Sequence, residues 1–224
     1  MDFDSGKELR FPQELMGTFV EMKSIRLNMR KLGALPEGMG GMANLEILRL
    51  AVRDMQQLPD WIPHFKALRW FELSYCPNIK ELPPLERMPQ LQLLKIEYCV
   101  NLKELGSNFG SADSFPTLEE LWLAGLDNLE ELPALESGSM PRLRVLRIIR
   151  CNNIRRLPQG IDRLSSLRVL DLSHSGELIR SLRTSQGDTL TSQNWERINR
   201  LPQRIQICTH SHVQAASLDC IQLY

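Results

Sequence analysis

The chain has 224 residues, of which 42% are hydrophobic and 24% charged, with 27 basic and 27 acidic side chains. That composition belongs to a folded chain rather than a disordered one, and a net charge near zero gives no pull towards nucleic acid or a membrane surface. No apolar run approaches the roughly 20 residues that cross a bilayer, and the opening MDFDSGKELR lacks the basic stretch and apolar core of a signal peptide.

In chain order, the first signal is Phe11-Pro12, ten residues before Met22. It matches the Leu-Pro pair that closes later units. The chain is therefore expected to begin inside a repeat whose strand is absent, or to carry Asp2–Met16 as a reduced cap. A repeat follows with starts at 22, 45, 68, 91, 118, 143 and 167. The second unit reads Leu45, Leu48, Leu50, Met55, Leu58, Pro59; the third reads Leu68, Phe71, Leu73, Cys76, Ile79, Leu82, Pro83. Spacings of 23, 23, 23, 27, 25 and 24 residues fall in the leucine-rich-repeat range. Within each unit the alternation x-x-L-x-L describes a short strand with one buried face. No single unit can bury that face alone, so neighbouring units must stack. The expected fold is an α/β repeat: a leucine-rich-repeat solenoid, curved as a horseshoe. Its parallel sheet lines the concave face and its convex side is mostly irregular or short-helical. The 27-residue unit contains "GSNFGSADSFP", read as an enlarged loop on the return side.

Beyond Ser173 the periodicity fails. Glu177 to Asp188 is polar; Thr191 to Pro202 reads as a short helix with Thr191 or Ser192 as N-cap, and "QRIQICT" alternates like a strand. The expected organisation is a partial repeat or cap at 1–17, leucine-rich repeats at 18–175, and a C-terminal cap and tail at 176–224.

Five cysteines, an odd number thinly spread, suit a reduced intracellular protein. Cys76, Cys99 and Cys151 share one slot, eight places after the repeat start, where Leu126 and Ser175 also stand. Zinc needs about four convergent ligands. With leucine between them, these cysteines are expected to be buried fillers at a turn, interchangeable with leucine, each able to bond a turn carbonyl of its own coil. No metal or cofactor is expected. The four histidines pair with no serine or cysteine in a recognisable motif, and no phosphate-binding glycine loop is present; the chain does not read as an enzyme. Thr117 to Ser139 holds six acidic residues and Arg142 to Arg168 eight arginines. The shared slots of Glu119 and Arg144, and of Glu130, Glu131 and Arg155, Arg156, place opposite charges side by side on neighbouring coils.

Function is expected on the concave face, where three columns of side chains point outwards. The candidate partner-binding residues are Arg26, Ile47, Arg49, Trp70, Glu72, Tyr75, Leu93, Lys95, Tyr98, Trp122, Arg147 and Ile149. Exposed Trp70, Leu93, Trp122 and Ile149 exceed what a soluble surface needs, and Trp, Tyr and Arg dominate protein interfaces. Trp70→Ala with Trp122→Ala is expected to leave thermal stability near wild type.

The unit in "LSYCPNIKELP", "IEYCVNLKEL", "LAGLDNLEELP" and "IIRCNNIRRLP" resembles the leucine-rich-repeat domain of plant intracellular nucleotide-binding immune receptors. The resemblance covers roughly residues 10 to 175. It implies a protein-binding module of the cytoplasm alone or of cytoplasm and nucleus, one that helps hold a receptor inactive. The partner it implies is a pathogen effector, a guarded host protein or another domain of the same receptor, with no nucleic acid and no membrane insertion. Oligomeric state stays open. Nucleotide binding would belong to a switch domain not present in this sequence. A free-standing cytosolic repeat scaffold in signalling is the alternative, and a ligase-type specificity subunit would need an adaptor-binding box that is absent.

Overall fold

The repeat spacing builds a ladder. The computed structural model describes residues 2–5, 21–183, 189–202, 204–209 and 220–221. Strands β1 (Asp2–Ser5), β2 (Ser24–Met29), β3 (Ile47–Val52), β4 (Trp70–Ser74), β5 (Leu93–Glu97), β6 (Glu120–Ala124), β7 (Val145–Ile149), β8 (Val169–Asp171) and β9 (Gln206–Cys208) lie side by side in sequence order, all parallel. Strand β10 (Cys220–Ile221) closes the sheet antiparallel to β9. Register follows the repeat slot for slot: Ile47 pairs with Trp70, Trp70 with Leu93, Leu93 with Glu120 and Glu120 with Val145. This is a leucine-rich-repeat solenoid, as the spacing predicts.

The inward residues three and five places after each start are Leu48 and Leu50, Phe71 and Leu73, Leu94 and Ile96, Leu121 and Leu123, Leu146 and Ile148, all 3% exposed or less. Burying each such side chain stabilises by roughly 1.5–3 kcal/mol, and the buried faces merge into one core from Ile25 to Ile207. The chain returns on the convex side through single 3-10 turns at Glu37–Gly41, Ile62–His64, Leu85–Arg87 and Ile161–Arg163. The enlarged loop is anchored: Phe109 and Phe115 are buried edge to face, 4.7 Å apart. A Cβ on Gly110 would lie 2.1 Å from the Ala134 carbonyl oxygen, so glycine lets the loop backbone touch the next coil.

Two expectations need correction. The earliest coil does have its strand, since β1 pairs Phe3 with Leu27 and Ser5 with Met29. The missed signal was weak because only the last part of the strand motif precedes Phe11-Pro12, a pair outside the described residues. Second, the polar segment after Ser173 contains a helix, α1 (Gly176–Arg183), and α2 begins at Thr189 and runs to Asn199. Leu178 of α1 and Ile198 of α2 join the core that runs through the coils, and Ile179 is buried as well, so a helix pair replaces the short return turn there. Asn194 fastens α2. Its Oδ1 accepts the Leu157 N–H at 2.9 Å, and its Nδ2 donates to the Arg155 carbonyl at 2.8 Å and the Ser181 hydroxyl at 2.7 Å. Side chains at Thr191 and Ser192, and most of Ser211 to Tyr224, lie outside the described residues.

Candidate protein-recognition face

Strand alternation sends the residues two, four and six places after each start to the sheet's outer face. The first column holds Ile47, Trp70 and Leu93 in unbroken register, all half-buried. Together they make an apolar strip. The indole N–H of Trp70 is buried and has no acceptor among the described residues. Ile149, which sits opposite Ala124 in the third column, is half-buried as well. The expectation that Trp70, Leu93, Trp122 and Ile149 are exposed is therefore corrected to half-buried. At the roughly 4.8 Å strand spacing, neighbouring side chains cover about two thirds or more of each.

The second column forms a continuous ladder of charge and ring. Arg49 Nε lies 3.4 Å from Glu72 Oε2, with its guanidinium carbon 4.4 Å above the Trp70 ring. Lys95 Nζ contacts Glu72 at 3.7 Å and Glu97 at 3.0 Å. Trp122 stands between two cations, with Lys95 Nζ 5.3 Å and Arg147 Cζ 4.0 Å from its ring centre. Its indole N–H donates to Glu120 Oε2 at 2.9 Å. Arg147 in turn reaches Glu120 at 3.8 Å and Asp171 at 3.7 Å. Most of the charged candidates are thus already engaged with one another. Glu97, Glu120 and Asp171, not among the candidates, complete the ladder; Asp171 continues the second column, while Glu120 and Glu97 reach in from the first and third. Arg26 is exposed and takes part in none of the ion pairs among the described residues.

On the coil edge, Glu119 and Arg144 pair at 3.5 Å, as do Lys23 and Glu46 at 3.3 Å. Glu130, Glu131, Arg155 and Arg156 line one groove, yet among the described residues they form no ion pair.

The rim at the strand ends has a geometry the sequence did not reveal. Coils two and three differ in how the strand stops. In β2 and β3 the residue seven places after the start, Met29 or Val52, continues the strand and is buried. From β4 onwards that residue turns left-handed, and the next one enters the core: Cys76, Cys99, Leu126, Cys151 and Ser175, all 0% exposed. The thiols are fillers with a polar role. Cys76 Sγ accepts the Val52 N–H at 3.3 Å and faces the Ser74 carbonyl of its own coil at 3.4 Å. Leucine cannot accept that amide, so the slot is not interchangeable at Cys76. The neighbouring Cys76 thiol and burial hold the free thiol of Cys99 above the ordinary range. Burial pushes Cys151 up to about 11. No cluster of metal-ligating side chains occurs among the described residues, and no described helix is long and apolar enough to cross a membrane.

The left-handed turns throw Tyr75 and Tyr98 outwards. Their rings stack with centres 4.8 Å apart and an interplanar angle of 14°. Tyr75 is 53% exposed, and Arg150 Nη1 donates to the Tyr98 hydroxyl at 3.3 Å.

The chain is similar to several known proteins. A family model described as R13L1/DRL21 leucine-rich repeats matches residues 36–99. Among curated proteins of Arabidopsis thaliana, the candidate disease resistance protein At1g59780 is 33% identical over 132 residues, covering 58% of this chain and 14% of that protein. Disease resistance protein RPP8 is 34% identical over 133 residues, with coverage of 58% and 14%. The human volume-regulated anion channel subunit LRRC8B is 34% identical over 136 residues, covering 58% and 16%. The chain therefore spans about a seventh of the length of the plant relatives. Among solved structures, the leucine-rich-repeat domain of the type III effector XopL aligns with 91% of this chain and 82% of that one, at 21% identity and a TM-score of 0.45.

Proposed function

We propose, starting from leucine-rich repeats of the plant disease-resistance type, that this domain is the recognition and autoinhibitory module of a plant immune receptor. It holds a protein partner on its concave face, and 18–175 is the part that recognises, with 176–224 closing the end of the solenoid. The observation that carries the reading is the apolar strip Ile47–Trp70–Leu93, in which a buried indole N–H has no acceptor. A buried unpaired donor costs about 1–3 kcal/mol, and a turn of the indole that brings its N–H to a partner's carbonyl would relieve that cost. The charges of the ladder beside the strip are paired with one another, so a partner gains mainly from apolar contact and from this one hydrogen bond.

The mechanism is a population shift. A domain of the same receptor that covers the strip stabilises the closed state, and an effector or guarded host protein that binds the face better releases it. The expected setting is the cytoplasm, and the module binds rather than catalyses. The test places Trp70→Ala in the full-length receptor expressed in leaf tissue. Loss of partner capture, or cell death without effector, supports the reading. Unchanged capture together with unchanged resting and effector-triggered responses would sink it.

A further inference from the structure

Five strands of the sheet end alike, and three of the side chains thrown out by that ending form a cluster apart from the ladder. The left-handed residues are Tyr75, Tyr98, Gly125, Arg150 and His174, with φ of 54°, 53°, 60°, 54° and 61°. Gly125 shows that glycine serves this turn, and glycine takes it freely while bulky L side chains resist it. The turn itself therefore does not account for two tyrosines and an arginine, and backbone held in such regions concentrates at functional positions. Gly125 also makes room. A Cβ there would lie 2.6 Å from the Tyr98 ring, so the ring lies over the glycine, and its hydroxyl meets Arg150. Tyr75, with one face on Tyr98, still leaves 53% of its surface open. Arg150 is exposed, its guanidinium enters none of the ion pairs among the described residues, and its Nη1 donates to the Tyr98 hydroxyl. A π-face and an unneutralised guanidinium thus share one rim.

We infer that the Tyr75–Tyr98–Arg150 rim docks an extended segment of a protein partner that carries an aromatic ring and a carboxylate four residues apart. From Tyr75 to Arg150 is three coil steps, roughly 14 Å at about 4.8 Å per step. Four residues of extended chain span roughly 13 Å and bring both side chains to one face. The ring stacks on Tyr75, and the carboxylate takes the N–H groups of Arg150 left free by Tyr98. The inference rests on the reading of this domain as a protein-binding module, and places a second contact beside the apolar strip.

The probes are the blocked peptides Ac-Phe-Thr-Ser-Thr-Glu-NH2 and its reverse, Ac-Glu-Thr-Ser-Thr-Phe-NH2, titrated into the domain with amide chemical shifts as readout. One of the two is expected to saturate below about 10 mM, shifting the amides of Tyr75, Tyr98 and Arg150. Replacing its Glu by Gln or its Phe by Ala should weaken it about tenfold, the loss expected of one charge-assisted hydrogen bond or one aromatic anchor. Tyr75→Asn and Arg150→Asn, which keep a residue tolerant of the left-handed turn, should do the same. Failure of both probes to saturate, equal binding of the Gln or Ala peptides, or full binding to Arg150→Asn overturns the inference. These peptides read the rim alone, whereas the Trp70→Ala receptor reads the strip, so either can fail without the other.

Discussion

Removing the Trp122 side chain tests whether the ladder is a structural unit or an open binding surface. The ring is held by Arg147 at 4.0 Å, Lys95 at 5.3 Å and a 2.9 Å bond from its N–H to Glu120. Each cation–π contact at such a half-exposed site contributes about 0.5–1 kcal/mol, and the indole bond about another 1 kcal/mol. In Trp122→Ala the cations keep their carboxylates, Glu72 and Glu97 for Lys95 and Glu120 and Asp171 for Arg147, so no charge is stranded. The expected loss is therefore about 2–3 kcal/mol, or a melting temperature lower by about 5–10 °C for a chain of this size. This departs from the sequence-based expectation that removing the tryptophans leaves stability unchanged. The sharper assay is a double-mutant cycle with Arg147→Met, read by urea unfolding, where the coupling should be about 1 kcal/mol. A coupling below about 0.3 kcal/mol, with a melting shift under about 2 °C, would mean that the ring is not clamped and the ladder reasoning is wrong.

Two further predictions concern the core. Asn194→Ala should cost about 2–4 kcal/mol by stranding the Leu157 N–H and the Arg155 carbonyl, and amide hydrogen exchange in α2 should rise while β4 to β6 stay protected; unchanged exchange in α2 would refute Asn194 as its fastener. Cys151 has a folded-state value near 11 against an ordinary 9.0 because burial disfavours the thiolate. Its contribution is fully present below pH 9.0 and lost as pH rises towards about 11, because the unfolded chain gives up the proton first. Melting temperature should fall across that window, and Cys151→Ala should flatten part of the fall, the rest belonging to Cys99, which shifts the same way. Superimposable pH profiles for the two proteins would remove Cys151 from the explanation.

The strand register was legible because buried leucine, isoleucine and phenylalanine recur at two fixed offsets, and a one-residue slip would invert every side chain. Strand β1 was hidden because the leading residues of its motif do not precede it. Helix α1 was hidden by polar neighbours, although Leu178, Ile179 and Leu182 sit one and four places apart, as one face of a helix requires. At the site, column membership was legible but engagement was not. The same residue types, Arg, Trp and Glu, serve equally for binding a partner and for binding each other, and only distance separates the two. The left-handed rim had one visible trace, Gly125 standing where its neighbours carry tyrosine and arginine.

The change in strand ending between Val52 and Cys76 has a consequence for how such a chain can be cut and rejoined. On one side of it the residue seven places after the repeat start is a wall of the core; on the other the residue eight places after it is. The Cys76 sulfur, accepting the Val52 amide, is the adapter between two gauges of track. Coils drawn from Trp70 onwards should exchange, duplicate or delete among themselves without a seam. A splice that sets a coil of one gauge against the other without that thiol leaves an amide unmet and the neighbouring side chain a residue out of step. Insertions and chimaeras of this domain should therefore be tolerated within a gauge and resisted across the adapter.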